Sequence, residues 1–499
     1  MKHRNAWLAA GVVLIVHALG NAHYGFFRDE LYFIICGQHP QFGYVDQPPV
    51  VPLLAALTQL AGHSLWLLRI VPALFGAAGA FTTVLLAEEL GGGAVAQWLA
   101  ALVYLFCPVL LSFGGKASTD EVGLFTWVLL AYLVVRIAHG ADRRLWLVAG
   151  AVAGISLESK YSVIFFLVAI VGGLLLTRER RILGNRYALG GLALAIAIAL
   201  PNALWQMHYG FPMWQLLEAG QHGKNVIAGP LLYLFQELLI TNIFLAPIWI
   251  AGVVWLLRRA PYRFLGFAYL IIIAEMIVLH GKHYYPAAVY PIVIAAGGVA
   301  LESWMKARAL RIASFVYVAL LGPVFVPLAL PVLPVEIYPA YQQGIQEAMH
   351  VSKHVLATEH GRDRGALPGD WADMHGWPEL AAIVARVYDD LPAAQRARAV
   401  VVASNYGEAS AIEFFAPGVP VVSGHNQYWL WGTKGYSGDV VIDVHGDCGA
   451  SEHLFATSRR VATVDAPYAI GYERGIPVML CTGLRVPLAQ LWPELKNYI

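Results

Sequence analysis

Residues 6–30 read AWLAAGVVLIVHALGNAHYGFFRDE, an apolar run that ends in Arg28-Asp29-Glu30. The stretch 6–22 has the length and composition of a membrane helix. Two carboxylates at the exit of such a helix are costly to keep there unless water, a partner or chemistry uses them. Met1-Lys2-His3-Arg4 resembles the start of a signal peptide, but no small-residue cleavage site follows. Tyr24-Gly25-Phe26-Phe27-Arg28 looks like a membrane exit, so the expectation is a retained first span.

The rest of the chain repeats the apolar theme. Its 499 residues are 58% hydrophobic and 13% charged, with a mean hydropathy of +0.59. A soluble domain carries about 25% charged residues. Further apolar runs lie near 65–87, 94–113, 121–137, 145–159, 161–177, 187–205, 231–257, 264–281, 286–303 and 312–333. Together they predict a mainly α, polytopic transmembrane helix bundle of about 11 spans. The apolar segment 47–61 is short and begins with Gln47-Pro48-Pro49, which predicts an interfacial helix. A formal net charge of +1 implies no general attraction to nucleic acid.

Charge sets the orientation. With the N-terminus in the cytoplasm, the inner segments hold 15 Lys and Arg, among them Arg143, Arg144, Arg178, Arg180, Arg181, Arg258 and Arg259. The outer loops hold 5, namely Arg28, Lys116, Lys160, Lys224 and Lys282, with Arg69 just inside the second span as a sixth. The unusual polar residues then gather outside: Asp29, Glu30, Asp46, Lys116, Asp120, Glu121, Glu158, Lys160, Glu218, Lys282 and His283. The reading makes the chain a multi-pass membrane protein with its N-terminus cytoplasmic and its C-terminal part outside.

Beyond about residue 335 the texture changes, and 12 of the 33 Lys and Arg fall between 334 and 499. Strands are expected at 399–403 and 419–422 and helices at 378–390 and 407–415, so 335–499 reads as a soluble α/β extracytoplasmic domain. Residues 1–334, with a first outer loop at 23–63, form the membrane domain. Cys448 and Cys481 form a disulfide or stay as buried thiols; spacing alone does not decide.

Several segments carry chemistry. Asp29-Glu30 supply a base for an acceptor proton, or the acids of an ordinary helix start. Tyr44-Val45-Asp46-Gln47-Pro48-Pro49 is a rigid turn whose Asp46 binds a metal or an acceptor hydroxyl, or caps the next helix. In Lys116-Ala117-Ser118-Thr119-Asp120-Glu121, Ser118 or Thr119 caps the following span unless Asp120 faces a cavity. Glu158-Ser159-Lys160-Tyr161 suggests an ion pair, or a phosphate contact for Lys160. Lys282-His283-Tyr284-Tyr285-Pro286 suits a phosphate headgroup and an aromatic membrane belt. His280, His283 and Asp46 offer metal ligands without a metal motif in their spacing.

Taken together, these segments resemble the GT-C superfamily of membrane glycosyltransferases, in the branch of protein O-mannosyltransferases and lipid A aminoarabinose transferases. The matching pieces are Phe27-Arg28-Asp29-Glu30-Leu31-Tyr32, Gly43-Tyr44-Val45-Asp46-Gln47-Pro48-Pro49, Ser159-Lys160-Tyr161-Ser162 and Lys282-His283-Tyr284-Tyr285-Pro286. In the outer domain, Asn405-Tyr406-Gly407-Glu408-Ala409 and the run Ser423 to Gly432 look like bacterial members. The resemblance implies a polyprenyl-phosphate-linked sugar donor, an outward-facing site and inversion at the anomeric carbon. It implies Asp29 as general base, with Glu30 a helper or a structural acid. Donor and acceptor contacts fall to Arg28, Tyr44, Asp46, Gln47, Lys116, Asp120, Lys160, Tyr161, Lys282, His283 and Tyr284. A Glu-Lys pair stands in the aminoarabinose transferases where this chain has Asp46-Gln47, so the phosphate role of that lysine moves to Lys116 or Lys160.

The expected activity is sugar transfer to an envelope lipid, glycan or protein, with a divalent metal as an open requirement. Two rivals use the same residues differently. A transporter or flippase of lipid-linked sugars would use the acidic cavity for translocation, and Glu275 inside a span fits that reading. A cell-wall glycan-binding protein would use Tyr428, Trp429 and Trp431.

Overall fold

The computed structural model describes residues 3–21, 23–221, 225–352, 354–359, 365–449 and 453–499. Lys2 and Lys224, counted above for orientation, lie outside the described residues. The protein is mainly helical with one small sheet. It divides into two compact units.

The first unit comprises residues 1–23, 64–204 and 227–334. Each apolar run read from the sequence is occupied here by a helix or a helix pair. Five helices have the length and apolar composition to cross a membrane: Leu65–Glu89, Arg186–His208, Ala260–Val278, Ala287–Trp304 and Arg308–Ala329. Shorter apolar helices include Arg4–Gly20, Gly123–Ala138, Leu145–Leu157 and Val163–Leu175. The run 94–113 is broken into Ala94–Leu105 and Pro108–Gly115, which meet at 63°. Pro108 has no N–H for the ladder and pushes Cys107 to extended dihedrals, so the helix must restart there. The run 231–257 is likewise split into Pro230–Ile240 and Ala246–Arg258.

Close backbone approach marks the helix crossings. A Cβ on Gly252 would lie 2.1 Å from the Val293 carbonyl oxygen, and one on Gly297 would lie 2.3 Å from that of Ile248. Only glycine at both positions lets these helices touch so closely. Arg69 is fully buried, and its guanidinium donates to the Asn21 and His23 carbonyls at 3.2 Å each. Asn21 returns a bond to the Arg69 carbonyl at 2.7 Å. This arginine therefore pins the end of the first helix.

The second unit comprises residues 24–63, 205–226 and 335–499. It joins the loop after the first helix to the C-terminal region. The loop folds as helix Arg28–Gln38, the turn 43–49, helix Val50–Thr58 and a 3₁₀ turn Gln59–Ala61. Helix Trp377–Asp389 precedes a five-stranded sheet of β1 (Ala399–Ala403), β2 (Val421–Ser423), β3 (Val440–Val444), β4 (Phe455–Val464) and β5 (Ile476–Leu484). The spatial order is β2-β1-β3-β5-β4. β1 runs parallel to both β2 and β3, while β5 is antiparallel to β3 and β4. The central strands AVVVA and VVIDV are almost wholly buried, as strands covered on both faces must be. β4 sits at an edge and exposes Thr457, Ser458, Arg459 and Arg460, whose charges discourage edge pairing.

Cys448 and Cys481 are disulfide-bonded, which decides between the two readings open from sequence. The pair packs among Val400, Val422, Val441, Leu488 and Trp492.

Candidate active site

The parallel part of the sheet builds the site in the second unit. Its strands all end toward one edge. Ser404-Asn405-Tyr406 follow β1, Gly424-His425-Asn426-Gln427 follow β2 and His445 follows β3. In open α/β sheets, ligands settle outside the carboxyl ends of parallel strands. Here those ends hold the helix Arg28–Gln38 of the first loop.

That helix is capped by a side chain from within its own first turn. The Glu30 carboxylate accepts the Phe27 N–H at 2.8 Å, and Glu30 is fully buried. Its placement is that of an acid holding a helix start. Arg28 turns the other way, and one of its nitrogens donates to both oxygens of Asp373 at 2.6 Å. It also contacts the Tyr472 hydroxyl. The guanidinium lies 5.9 Å from the Tyr406 ring centre and 5.4 Å from that of Tyr472. Asp373 is fully buried, so this is a desolvated ion pair. Gly407 makes room for it, because a Cβ there would fall 2.5 Å from Arg28 Cγ and 2.6 Å from Cδ.

Asp29 lies between these anchors, half-buried, and accepts the Tyr406 hydroxyl at 2.7 Å. Burial, then the Asp29 charge, pushes the Tyr406 phenol well above its ordinary range, so it stays protonated and donates. Asp46 accepts the Tyr32 hydroxyl at 3.0 Å and the Asn426 amide at 3.1 Å. Burial raises the Asp46 carboxyl to about 7, against those hydrogen bonds and with a further push from Asp29. The capping role open to Asp46 is taken by Pro49 instead, with no side-chain bond to the helix. Tyr32 joins the two acids: its ring packs against Tyr406, tilted by 35° with centres 4.5 Å apart, and its hydroxyl accepts the Gln427 N–H at 3.2 Å.

The turn 43–47 is fixed from several sides. The Tyr44 hydroxyl donates to the Cys36 carbonyl at 2.7 Å, and Gln206 donates to the Tyr44 carbonyl at 3.0 Å. Gln427 accepts the Val45 N–H at 3.1 Å, and Gln47 is buried.

The first unit carries its own polar cluster. Lys160 pairs with Asp120 at 2.6 Å, so its partner comes from the other loop rather than from adjacent Glu158. The same ammonium lies 5.5 and 5.0 Å from the ring centres of Tyr284 and Tyr285. A small cavity here is lined by Thr119, Asp120, Trp127, Ser159, Lys160 and Tyr285. Tyr161 donates to Asn202 at 2.7 Å. Lys116 and His283 are buried, and the His283 ring packs edge-on against Tyr284. Ser118 and Thr119 do not cap the helix Gly123–Ala138; Glu121 instead accepts the Ser118 N–H at 3.2 Å.

Several participants escaped the sequence reading. Asp373 and Tyr472 stand on no recognisable motif. Tyr406, Asn426 and Gln427 sit inside segments that stood out, but their link to the first loop is a tertiary fact. Glu237 lies inside an expected span, buried, and accepts the Tyr290 hydroxyl at 2.5 Å. Tyr428, expected as a glycan platform, is buried and bonded to Glu413.

Residues 46–205 match the family model for dolichyl-phosphate-mannose-protein mannosyltransferases. No curated protein sequence matches the chain. Among solved structures, ArnT from Cupriavidus metallidurans bound to undecaprenyl phosphate aligns with a TM-score of 0.64 at 15% identity, over 95% of this chain and 97% of that one. Its apo form aligns with a TM-score of 0.65. The mycobacterial arabinofuranosyltransferase AftD aligns with a TM-score of 0.54 at 13% identity, over 97% of this chain but only 42% of its own. The chain thus shares the fold of ArnT and AftD.

Proposed function

We propose that the protein is a glycosyltransferase that moves a sugar from a polyprenyl-phosphate carrier to an envelope lipid, glycan or protein. The observation that carries this reading is Asp29: a half-buried carboxylate on an immobilised helix start, oriented by the Tyr406 hydroxyl at 2.7 Å. A base must be held in one geometry to take a proton during bond formation. Asp29 takes the proton of the acceptor hydroxyl or amine as that atom bonds to the anomeric carbon. The bond from that carbon to the phosphate oxygen breaks on the opposite face, and the carrier phosphate leaves with the electron pair. The configuration inverts.

Arg28 and Glu30 keep Asp29 in place, the first through Asp373 and the second through the helix cap. Asp46, with its raised carboxyl, holds an acceptor or sugar hydroxyl. Lys160, Lys116 and Lys282 are assigned to the charge of the donor phosphate, with Tyr161, His283 and Tyr284 beside them. The undecaprenyl phosphate bound in ArnT supports a polyprenyl-phosphate carrier for this fold.

The orientation read from loop charge, with the N-terminus cytoplasmic and residues 335–499 outside, is part of the proposal. The Cys448–Cys481 disulfide supports it, since such bonds persist in oxidising compartments. The test is transfer by the purified chain in detergent, using undecaprenyl-phosphate-linked sugars and total envelope lipid and glycan as acceptors, read by mass spectrometry. A sugar mass gained by an acceptor, with release of undecaprenyl phosphate, supports the proposal. Passage of the intact lipid-linked sugar across a vesicle with no bond made would favour a flippase instead.

A further inference from the structure

A second cluster sits behind Arg28 in the same unit, and the transfer mechanism does not use it. Glu408, His445 and Glu473 bring one ligand atom each to within 4.8 Å of one another. They come from three segments: the start of helix Tyr406–Phe415, the residue after β3 and a short turn before β5. β1 and β3 are neighbours whose connections leave in opposite directions, β1 toward β2 and β3 toward β4 at the far edge. Such switch points are where the sheet opens a crevice for ligands.

Each carboxylate has one oxygen engaged elsewhere. Glu408 accepts the Ser404 and Asn405 N–H groups with Oε2, at 2.8 and 3.4 Å. Its Oε1 lies 3.0 Å from His445 Nδ1. Glu473 accepts the Asn405 amide with Oε1 at 2.9 Å. Glu473 Oε2 has no hydrogen-bond partner among the described residues, although the side chain is only 5% exposed. Two carboxylates this close in a buried place need a shared proton or a cation between them. His445 also adopts a φ of 69°, a left-handed value uncommon for a non-glycine residue.

We propose that Glu408, His445 and Glu473 form a divalent-cation site for a zinc-class metal. One imidazole and two carboxylates are a ligand set that zinc or manganese accepts. Zinc bonds of about 2.0–2.1 Å give tetrahedron edges of about 3.3 Å, so ligand atoms now up to 4.8 Å apart would draw together by about 1.5 Å at most. His445, its side chain 32% exposed, leaves an entry path and room for a water as fourth ligand. The second trio with metal spacing, Asp443 with Cys448 and Cys481, has its thiols consumed by the disulfide. The role is that of a clasp. Glu473 adjoins Tyr472, which contacts Arg28, and Glu408 belongs to the helix that carries Tyr406. The cation would tie these segments together behind Asp29. This inference does not depend on which reaction Asp29 serves.

The full-length protein in detergent is stripped with chelator, and Zn²⁺ or Mn²⁺ is titrated by calorimetry with elemental analysis of the washed product. The expected result is one equivalent per chain and a metal-dependent rise in Tm. Glu473→Gln keeps the volume and the Asn405 contact, and should weaken binding at least 10-fold; His445→Gln should do the same. No stoichiometric metal in the wild type overturns the proposal and leaves a proton shared by the two carboxylates. So does metal retained at full affinity in Glu473→Gln, which would place the ion elsewhere.

Discussion

Replacing Asp373 by alanine tests whether Arg28 is an anchor or a bystander. Asp373 is fully buried and Arg28 is 9% exposed, with both Asp373 oxygens 2.6 Å from one guanidinium nitrogen. Removing the carboxylate strands a buried cation, which costs about 3–5 kcal/mol. The Tyr406 and Tyr472 rings face the guanidinium with or without Asp373, so they offset none of this loss. For a folding unit of this size, the loss corresponds to a fall in Tm of roughly 6–20 °C. Arg28→Met strands Asp373 instead and should cost a similar amount. The double variant removes both charges and should be less destabilised than the sum, by about 0.5–3 kcal/mol. The assay is thermal unfolding of the purified chain followed by tryptophan fluorescence. Single variants within ~0.5 kcal/mol of wild type, or a strictly additive double variant, would refute the anchoring role.

Other consequences follow from single contacts. Gly407→Ala drives a methyl to 2.5 Å from the Arg28 stem, so it should destabilise by about 1–3 kcal/mol in the same assay, and the loss should shrink in an Arg28→Ala background. Opening the Cys448–Cys481 bond, whose ends lie 33 positions apart, should cost about 4 kcal/mol by loop entropy, read as a drop in Tm on reduction or in Cys448→Ser/Cys481→Ser. Asp46 has its carboxyl raised from 3.8 to about 7, so the folded state favours the neutral acid. Its contribution is complete below pH 4 and is lost as pH climbs through 7, by up to about 4 kcal/mol. Asp46→Asn should therefore gain stability relative to wild type as pH rises from 4 to 8; a difference flat across that range would count against the buried acid.

Much of the architecture was legible because apolar runs of about 20 residues have few alternatives. The breaks inside them were less so. Pro108 announces the bend in 94–115 only once the neighbouring helices are seen to accommodate it. β1 and β2 stood out as short valine-rich runs, whereas β4 carries Ser458-Arg459-Arg460 on an exposed edge and lacks the alternation that marks a strand. Asp29 was legible as a charge that needs a reason. Its surroundings were not, because Tyr406 lies 377 residues away, and Asp373 lies 345 from Arg28. Asp46 shows the limit of local rules: a residue just ahead of a helix is expected to cap it, yet Asn426, 380 residues on, takes its second oxygen.

The central claim is that Asp29 removes the acceptor proton during sugar transfer. Asp29→Asn keeps size and can still meet the Tyr406 hydroxyl, but it cannot take a proton. Transfer from an undecaprenyl-phosphate-linked sugar should fall by about 10²–10⁴-fold, with Tm and membrane insertion unchanged. A correctly folded Asp29→Asn protein that transfers sugar at the wild-type rate would contradict the account.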